Sequence, residues 1–435
     1  DTFRLKTGTP PRIKKDSIDF TKGSLQPGTK GHLAFSYETK EFIPVEEQIP
    51  CYLIYTTSKT HEIIRNHLSE AAIFSGLVTG VGPRYCPSIE SKIVNFADKE
   101  RHQLFLEPES RYSDSIYLQG FSTSMPIEVQ EEMVRSLPGF EHAEFLKYAY
   151  AIEYDAIRTY EYGPTLEIKK WPGLYIGGQI CGTSGYEEAA GLGLLAGINA
   201  CLKIENKEPL ILRRDQSYIG VMIDDLVTKG TLEPYRLMSS RAEFRLLLRH
   251  DNADMRLTEI GYNVGLISLD RYQRFLKKKE DIAKVIEILK NTYLGKRKEI
   301  EDYVTSLGFN ELKGGIQAFE LLKRPNVKYT EIAHFIPSLS DFNLDEGTIE
   351  EIEIIAKYEG YIVKQIKEAN NFKKLEEMHL PNDIDYLHMD GLALEARSKL
   401  NEVKPLTIGQ ASRISGVNPA DVSVLIMNIK KGYRS

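Results

Sequence analysis

Cysteine is scarce in this chain: four residues in 435, at positions 51, 86, 181 and 201, with no CxxC pair. That excludes a disulfide framework and a cysteine-rich zinc site, and leaves Cys51, Cys86, Cys181 and Cys201 as free thiols. Histidine is sparse too, and its nine residues form neither HxxxH nor HExxH. Without GxSxG or the phosphate loop GxxxxGK[ST], metal is not expected, hydrolase chemistry has no motif, and any nucleotide hydrolysis belongs to a partner. Apolar runs are short, and no basic and apolar leader opens the chain, so a cytoplasmic protein without membrane contact is expected. An excess of positive charge is also missing. The net charge of −6 counts against nucleic acid globally, although affinity for phosphate needs only a local cluster of Lys and Arg.

What is present describes a globular chain, 42% hydrophobic, 27% charged and 10% aromatic. Its length predicts two or three domains. It starts at Asp1 in what reads as the middle of a structured region, so a truncation is expected. Residues 1–18, with Pro10-Pro11, read as a loop. Residues 51–57 read as a buried strand and 60–75 as a helix with Ile63, Ile64, Leu68, Ala71 and Ala72 at helical spacing. Strands at 103–106 and 115–118 and a helix at 127–136 follow. Leu174 to Gly178 is predicted as a strand entering a glycine turn, and Tyr186 to Leu202 as a helix. Beyond 211 helical patterns dominate, with one extended piece at 245–249.

The most informative segment is Gly177-Gly178-Gln179-Ile180-Cys181-Gly182-Thr183-Ser184-Gly185-Tyr186-Glu187-Glu188. A strand, a tight glycine turn and a helix present backbone N–H groups to a ligand. Ala189, Gly193 and Gly197 then leave one helix face nearly bare, able to pack on a strand or on a flat cofactor ring. Composition leaves these two uses open.

The wording of this turn resembles the glucose-inhibited division protein A family, whose members build the 5-carboxymethylaminomethyl group on the wobble uridine of tRNA. So do Leu5 to Arg12, Gly82 to Phe96, Tyr150 to Asp155, and Asp215 to Leu266 with Gly230-Thr231-Leu232-Glu233-Pro234-Tyr235-Arg236 and Ser240-Arg241-Ala242-Glu243. Leu406 to Lys431 closes the series, and most of the chain is covered in order. The resemblance implies an α/β fold, an incomplete FAD-binding Rossmann-type domain at 1–18 and 84–210 with a small α/β domain inserted at 19–83. An all-α C-terminal part follows, a helical domain at 211–355 and a tRNA- and GTPase-binding domain at 356–435.

It further implies that Gln179, with Gly178, Gly182, Gly185, Glu187 and Glu188, contacts FAD. Gly82-Pro83-Arg84-Tyr85-Cys86-Pro87-Ser88-Ile89-Glu90-Ser91-Lys92-Ile93-Val94-Asn95-Phe96 matches the segment assigned to NAD. Cys86 matches a catalytic cysteine. A lone cysteine is more often an inert small hydrophobe, but cations at Arg84 and Lys92 favour a thiolate, which could add to carbon 6 of uridine and activate carbon 5. Cys181 stands where the family tends to carry Asn and receives no role; Cys51 and Cys201 read as core.

The resemblance also implies NADH as reductant, methylenetetrahydrofolate as one-carbon donor, a GTPase partner in a heterotetramer, and a homodimer. The first GxGxxG unit and a second catalytic cysteine would precede Asp1, so the chain alone is expected to be inactive. Two alternatives remain: a folate- and FAD-dependent tRNA uridine methyltransferase, against which the long tail from 211 to 435 argues, and a non-catalytic module binding tRNA and a GTPase.

Candidate RNA contacts are Arg84 and Lys92, placed to steer phosphate, and an arginine series at 236, 241, 245, 249 and 256. Arg241, Arg245 and Arg249 recur every four residues and could grip phosphates from one face. An internal network with Glu233, Glu243, Asp251 and Asp254 is at least as good a reading. A second basic group, Lys404, Arg413, Lys430, Lys431 and Arg434, accompanies a helix, glycine turn, helix unit at 408–417, with Asn418-Pro419 opening the next helix.

Overall fold

The computed structural model of the chain describes residues 1–31, 34–84, 87–310 and 314–430. Two units emerge, one made of 1–200 with 230–237 and the other of 201–229 with 238–435.

The first unit begins with strands where a loop was expected: β1 is Thr2–Thr9 and β2 is Arg12–Lys14. The partner of β1 is β8, Tyr150–Ile157, antiparallel from Thr2 opposite Ile157 to Thr9 opposite Tyr150. That ladder joins segments far apart in sequence, so no local pattern announces it. The other strands are β3 (Ser24–Gln26), β4 (Cys51–Tyr55), β5 (Gln103–Pro108), β6 (Ser115–Gln119) and β7 (Phe145–Lys147). With β2 they form an antiparallel sheet in the order β3-β4-β5-β6-β2-β7. Because β4 satisfies its edges with β3 and β5, the expected domain limit at 83 cuts through a sheet.

Three helices cover this sheet: α1 (Ser58–Asn66), α2 (Ile89–Asn95) and α3 (Ile127–Arg135). Alternating strand residues such as Ile54, Leu104, Leu106, Ile116 and Leu118 pack against Ile63, Ile64, Ile89, Ile93, Val129 and Met133 in one apolar core. Thr57 caps α1 reciprocally with Thr60, a capping box worth about 1 kcal/mol. The helix ends at Asn66 rather than Ser75, because the Ala72 and Ile73 N–H groups donate to the Ser124 carbonyl and hydroxyl instead of to a preceding turn.

Instead of a strand, 174–178 makes a single bridge, Tyr175 to Glu167. It enters α4, Tyr186–Ile204.

The second unit is helical: α5 (Tyr218–Asp224), α6 (Ala253–Asn263), α7 (Leu269–Asn291), α8 (Lys298–Ser306), α9 (Ala318–Leu322), α10 (Tyr329–His334), α11 (Glu346–Lys357), α12 (Glu359–Glu376), α13 (Leu394–Val403), α14 (Ile408–Arg413) and α15 (Pro419–Lys430). Two short strands, β9 (Tyr293–Leu294) and β10 (Ile316–Gln317), pair between them. One core runs from Ile282 to Ala356 and another from Leu380 to Leu425. Residues 245–249 are turns rather than extended, with the Leu247 and Leu248 N–H groups both donating to Phe244. Among the described residues no helix is long and apolar enough to cross a membrane.

Candidate functional site

The glycine turn is built by close approach. A Cβ on Gly177 would lie 2.9 Å from the Gly193 Cα, so Gly177 lets α4 press against the incoming chain. Gly182 adopts φ +90°, the left-handed region that L side chains avoid. Hydrogen bonds then fix the turn from below: Tyr162 donates to the Cys181 carbonyl at 2.9 Å and Tyr154 to the Thr183 carbonyl at 3.1 Å. Burial pushes the Tyr154 hydroxyl up to about 12 and the Cys181 thiol up to about 12, so both stay protonated. Cys181 is therefore inert as a nucleophile.

The turn is strapped by residues 230–237. Tyr235 N–H donates to Gly182 O, and Ser184 N–H returns to Tyr235 O. Glu188, buried in the first turn of α4, accepts from Arg236 Nε at 3.1 Å and from the Leu237 N–H at 2.8 Å through the same oxygen, Oε1. Its other oxygen, Oε2, is buried without a hydrogen-bond partner among the described residues. Gln179, Tyr186 and Glu187 are exposed, as are Gly193 and Gly197, where an added Cβ would meet nothing within 4 Å. The turn and helix thus present an open face. Gly193 meets Gly177 on one side and open space on the other.

Of the residues expected near NAD, Tyr85 and Cys86 lie outside the described residues. Ser88 caps α2, and the side chains of Ile89, Glu90 and Ile93 are buried in the core. Glu90 Oε1 accepts from the hydroxyls of Thr123 and Ser124 and from the Ser124 N–H. Arg84, Val94, Asn95 and Phe96 are exposed, and Lys92 donates to the Gly120 carbonyl.

Upstream, Glu153 of β8 binds the Thr79 and Gly80 N–H groups and Arg4 of β1, which also reaches Asp155. These bonds, Arg4 first, hold the Glu153 carboxyl down at about 2.

The arginine series divides. Arg236 belongs to the strap; Arg249 is tied to Asp251 at 3.1 Å and Arg413 to Asp224 and Glu376 at 2.6 and 2.5 Å. The Arg249 and Arg413 side chains are 16% and 9% exposed, so little of either faces solvent. Arg241 lies 3.8 Å from Asp225, while Arg245 and Lys430 are exposed. Lys431 and Arg434 lie outside the described residues.

Sequence reasoning missed the centre of this network, Arg214, whose fully buried guanidinium meets Asp224, Asp225 and Glu243. Burial would lower its pKa, but those carboxylates together hold it raised. Cys201, expected in the core, is exposed, and Cys51 is half-buried.

An α/β unit that braces a glycine turn against an open helix face, in a chain that continues as helices, defines the class of protein. Residues 1–208 match the family model described as glucose inhibited division protein A. Residues 270–366 and 368–435 match the C-terminal helical domain and the C-terminal helical bundle of the tRNA modifying enzyme MnmG/GidA. The tRNA uridine 5-carboxymethylaminomethyl modification enzymes MnmG of Bacillus licheniformis and Bacillus mycoides are each 54% identical over 99% of this chain and 68% of their own length. Two crystal forms of Aquifex aeolicus GidA superpose with TM-scores of 0.85 at 43% and 45% identity. They cover 99% of this chain, which covers 68% and 69% of theirs. The chain belongs to the glucose-inhibited division protein A family.

Proposed function

We propose that the chain carries part of a tRNA-modifying enzyme that places a carboxymethylaminomethyl group on carbon 5 of the wobble uridine. FAD and NADH serve as cofactors, methylenetetrahydrofolate as one-carbon donor and glycine or ammonium as amine source. Partners in this reading are tRNA, a GTPase in a heterotetramer and a second copy of the chain, in the cytoplasm. The name of these relatives supports the reaction.

The observation that carries the cofactor assignment is the open face above Gly193 and Gly197 beside the turn at Gly177 to Gly185. It is open and nearly bare of side chains, a fit for a planar ring, and the adjoining α4 N-terminus favours negative charge. Bound FAD would supply hydride and one-carbon transfer. The chain's own residues do the holding: Gln179, Gly178 and Gly182 line the turn, while Glu188 fixes its geometry through Arg236 and Leu237. Cys86 works on uridine, covalently or as acid–base group, with Gly82 to Phe96 on the nicotinamide side.

The test is nucleoside mass spectrometry of bulk tRNA from cells lacking the parent gene, rescued by the full-length wild-type protein or by its Cys86→Ser variant at equal expression. Wild type should restore the modified uridine and the variant should not. Full restoration by the variant would make Cys86 structural; failure of wild type would remove the reaction itself.

A further inference from the structure

A cavity in the first unit, about 510 Å³, opens between α2 and the ends of β5 and β6. Its lining includes Lys92, Phe96, Lys99, Arg101, His102 and Phe105. Three permanent cations and two aromatic rings around one cavity form an anion- and ring-binding arrangement. Three observations mark it as built. Arg101 stacks on the Tyr55 ring at 4.0 Å, a cation–π contact that fixes the guanidinium while its N–H edge remains a donor. Lys92 is oriented by the Gly120 carbonyl at 2.9 Å. The His102 Nε2 atom is buried in the cavity wall and lacks a hydrogen-bond partner among the described residues. Burial, helped by Lys92, lowers the His102 pKa, so the ring is neutral near pH 7.

We propose that this cavity holds one ribonucleotide of the RNA, its phosphate between Lys99 and Arg101 and its base against Phe96 and Phe105. The inference rests on the reading that the chain acts on tRNA, and it names where the first unit grips the strand. Free dinucleotides are commonly held by backbone N–H groups at a glycine turn and helix start. Here the donors are side chains, the pattern that positions a nucleic-acid backbone. Phe96 is half exposed and the Lys99 side chain 63% exposed, which leaves the mouth open for a strand to pass across. Of this set only Lys92 and Phe96 fall in the segment expected to meet NAD.

The experiment is fluorescence anisotropy of a labelled RNA hairpin carrying a seven-nucleotide anticodon-type loop, titrated with the full chain at several salt concentrations. The double variant Lys99→Ala/Arg101→Ala should bind about tenfold more weakly, and its plot of log affinity against log salt should be shallower by about one unit. Phe96→Ala should lose affinity with the salt slope unchanged, since stacking releases no counterions. Lys40→Ala/Arg111→Ala, two exposed cations elsewhere, controls for the lost charge. Equal binding by wild type and the double variant overturns the proposal, as does an equal loss in the control. If wild type binds no hairpin, the RNA reading fails and this inference with it. If the double variant keeps the hairpin but loses NADH, followed by nicotinamide fluorescence, the cavity takes the free dinucleotide and the proposal is overturned.

Discussion

Glu188 and Arg236, 48 residues apart, meet at 3.1 Å, and the same carboxylate oxygen accepts the neighbouring Leu237 N–H at 2.8 Å. One buried acid therefore ties the first turn of α4 to the strap at 230–237. Glu188→Ala should destabilise the protein by about 2 kcal/mol, since it strands a part-buried N–H and an arginine. Glu188→Gln should cost less, because its carbonyl can still accept from Leu237. Urea unfolding compares the two; equal stability of wild type and Glu188→Ala would show that the strap holds without this acid.

Gly177 and Gly193 touch, yet they should respond oppositely. Gly177→Ala drives a Cβ to 2.9 Å from the Gly193 Cα and should cost about 1–3 kcal/mol. Gly193→Ala points its Cβ into open space and should stabilise α4 by about 0.5–1 kcal/mol. Thermal melts of the pair check the sign. If the proposed ring lies on this face, Gly193→Ala will also lower flavin retention while raising Tm.

Glu153 makes the junction of β1, β8 and the 79–80 backbone sensitive to acid. Its carboxyl is held at about 2 against an ordinary 4.5, by Arg4 first and the Gly80 N–H next. A depressed carboxyl stabilises the fold above its unfolded value and loses that contribution as pH falls through the folded one. Melting temperatures of wild type and Glu153→Gln should therefore differ most at neutral pH and converge between pH 4.5 and 2. A constant difference over that range would rule out the carboxylate's charge as the cause.

In the second unit Glu351 carries the opposite sign. Burial pushes its carboxyl up to about 7, opposed by Lys278 at 3.2 Å and reinforced by Asp254. The fold prefers the protonated acid, so this contribution is fully present below 4.5 and is lost as pH rises through about 7. Glu351→Gln, which keeps the neutral shape, should match wild type at pH 4.5 and exceed it at pH 8, by on the order of 3 kcal/mol. Denaturant midpoints at both values test it.

Arg413 and Arg245 separate structural from surface cations. Arg413→Ala leaves Asp224 and Glu376 short of a partner and should cost about 3 kcal/mol or more. Arg245→Ala should leave stability within about 0.5 kcal/mol, and any loss of RNA affinity will then report a direct contact. Paired melts and anisotropy titrations distinguish them.

Local signals were legible where the chemistry is local. The β4 strand, the α3 helix and the unit of α14, Gly416 and α15 follow from nearby periodicity, caps and glycine. Asn418 Oδ1, for example, accepts from the Ala420 and Asp421 N–H groups at the start of α15. The β1–β8 ladder was hidden because its two strands are far apart in sequence. The same distance hid the strap: the words Gly230 to Arg236 were readable, but their attachment to Glu188 was not. Arginines at intervals of four suggested a stripe, yet turns at 245–249 and the pairing of Arg249 to Asp251 and Arg241 to Asp225 dispersed it. The basic and aromatic run from Phe96 to Phe105 was the available signal for the cavity beside α2.

The strap also bears on how such a protein can be divided. The chain leaves the first unit after Ala200, returns at Gly230 and leaves again after Leu237. Recombination works by single joints, and no single joint here yields two self-sufficient modules. A fragment ending near 210 would keep Glu188 while discarding the arginine and the amide it holds. Each unit's inheritance is thereby bound to the other's: a swap of either between homologues must carry the eight-residue return along or rebuild it.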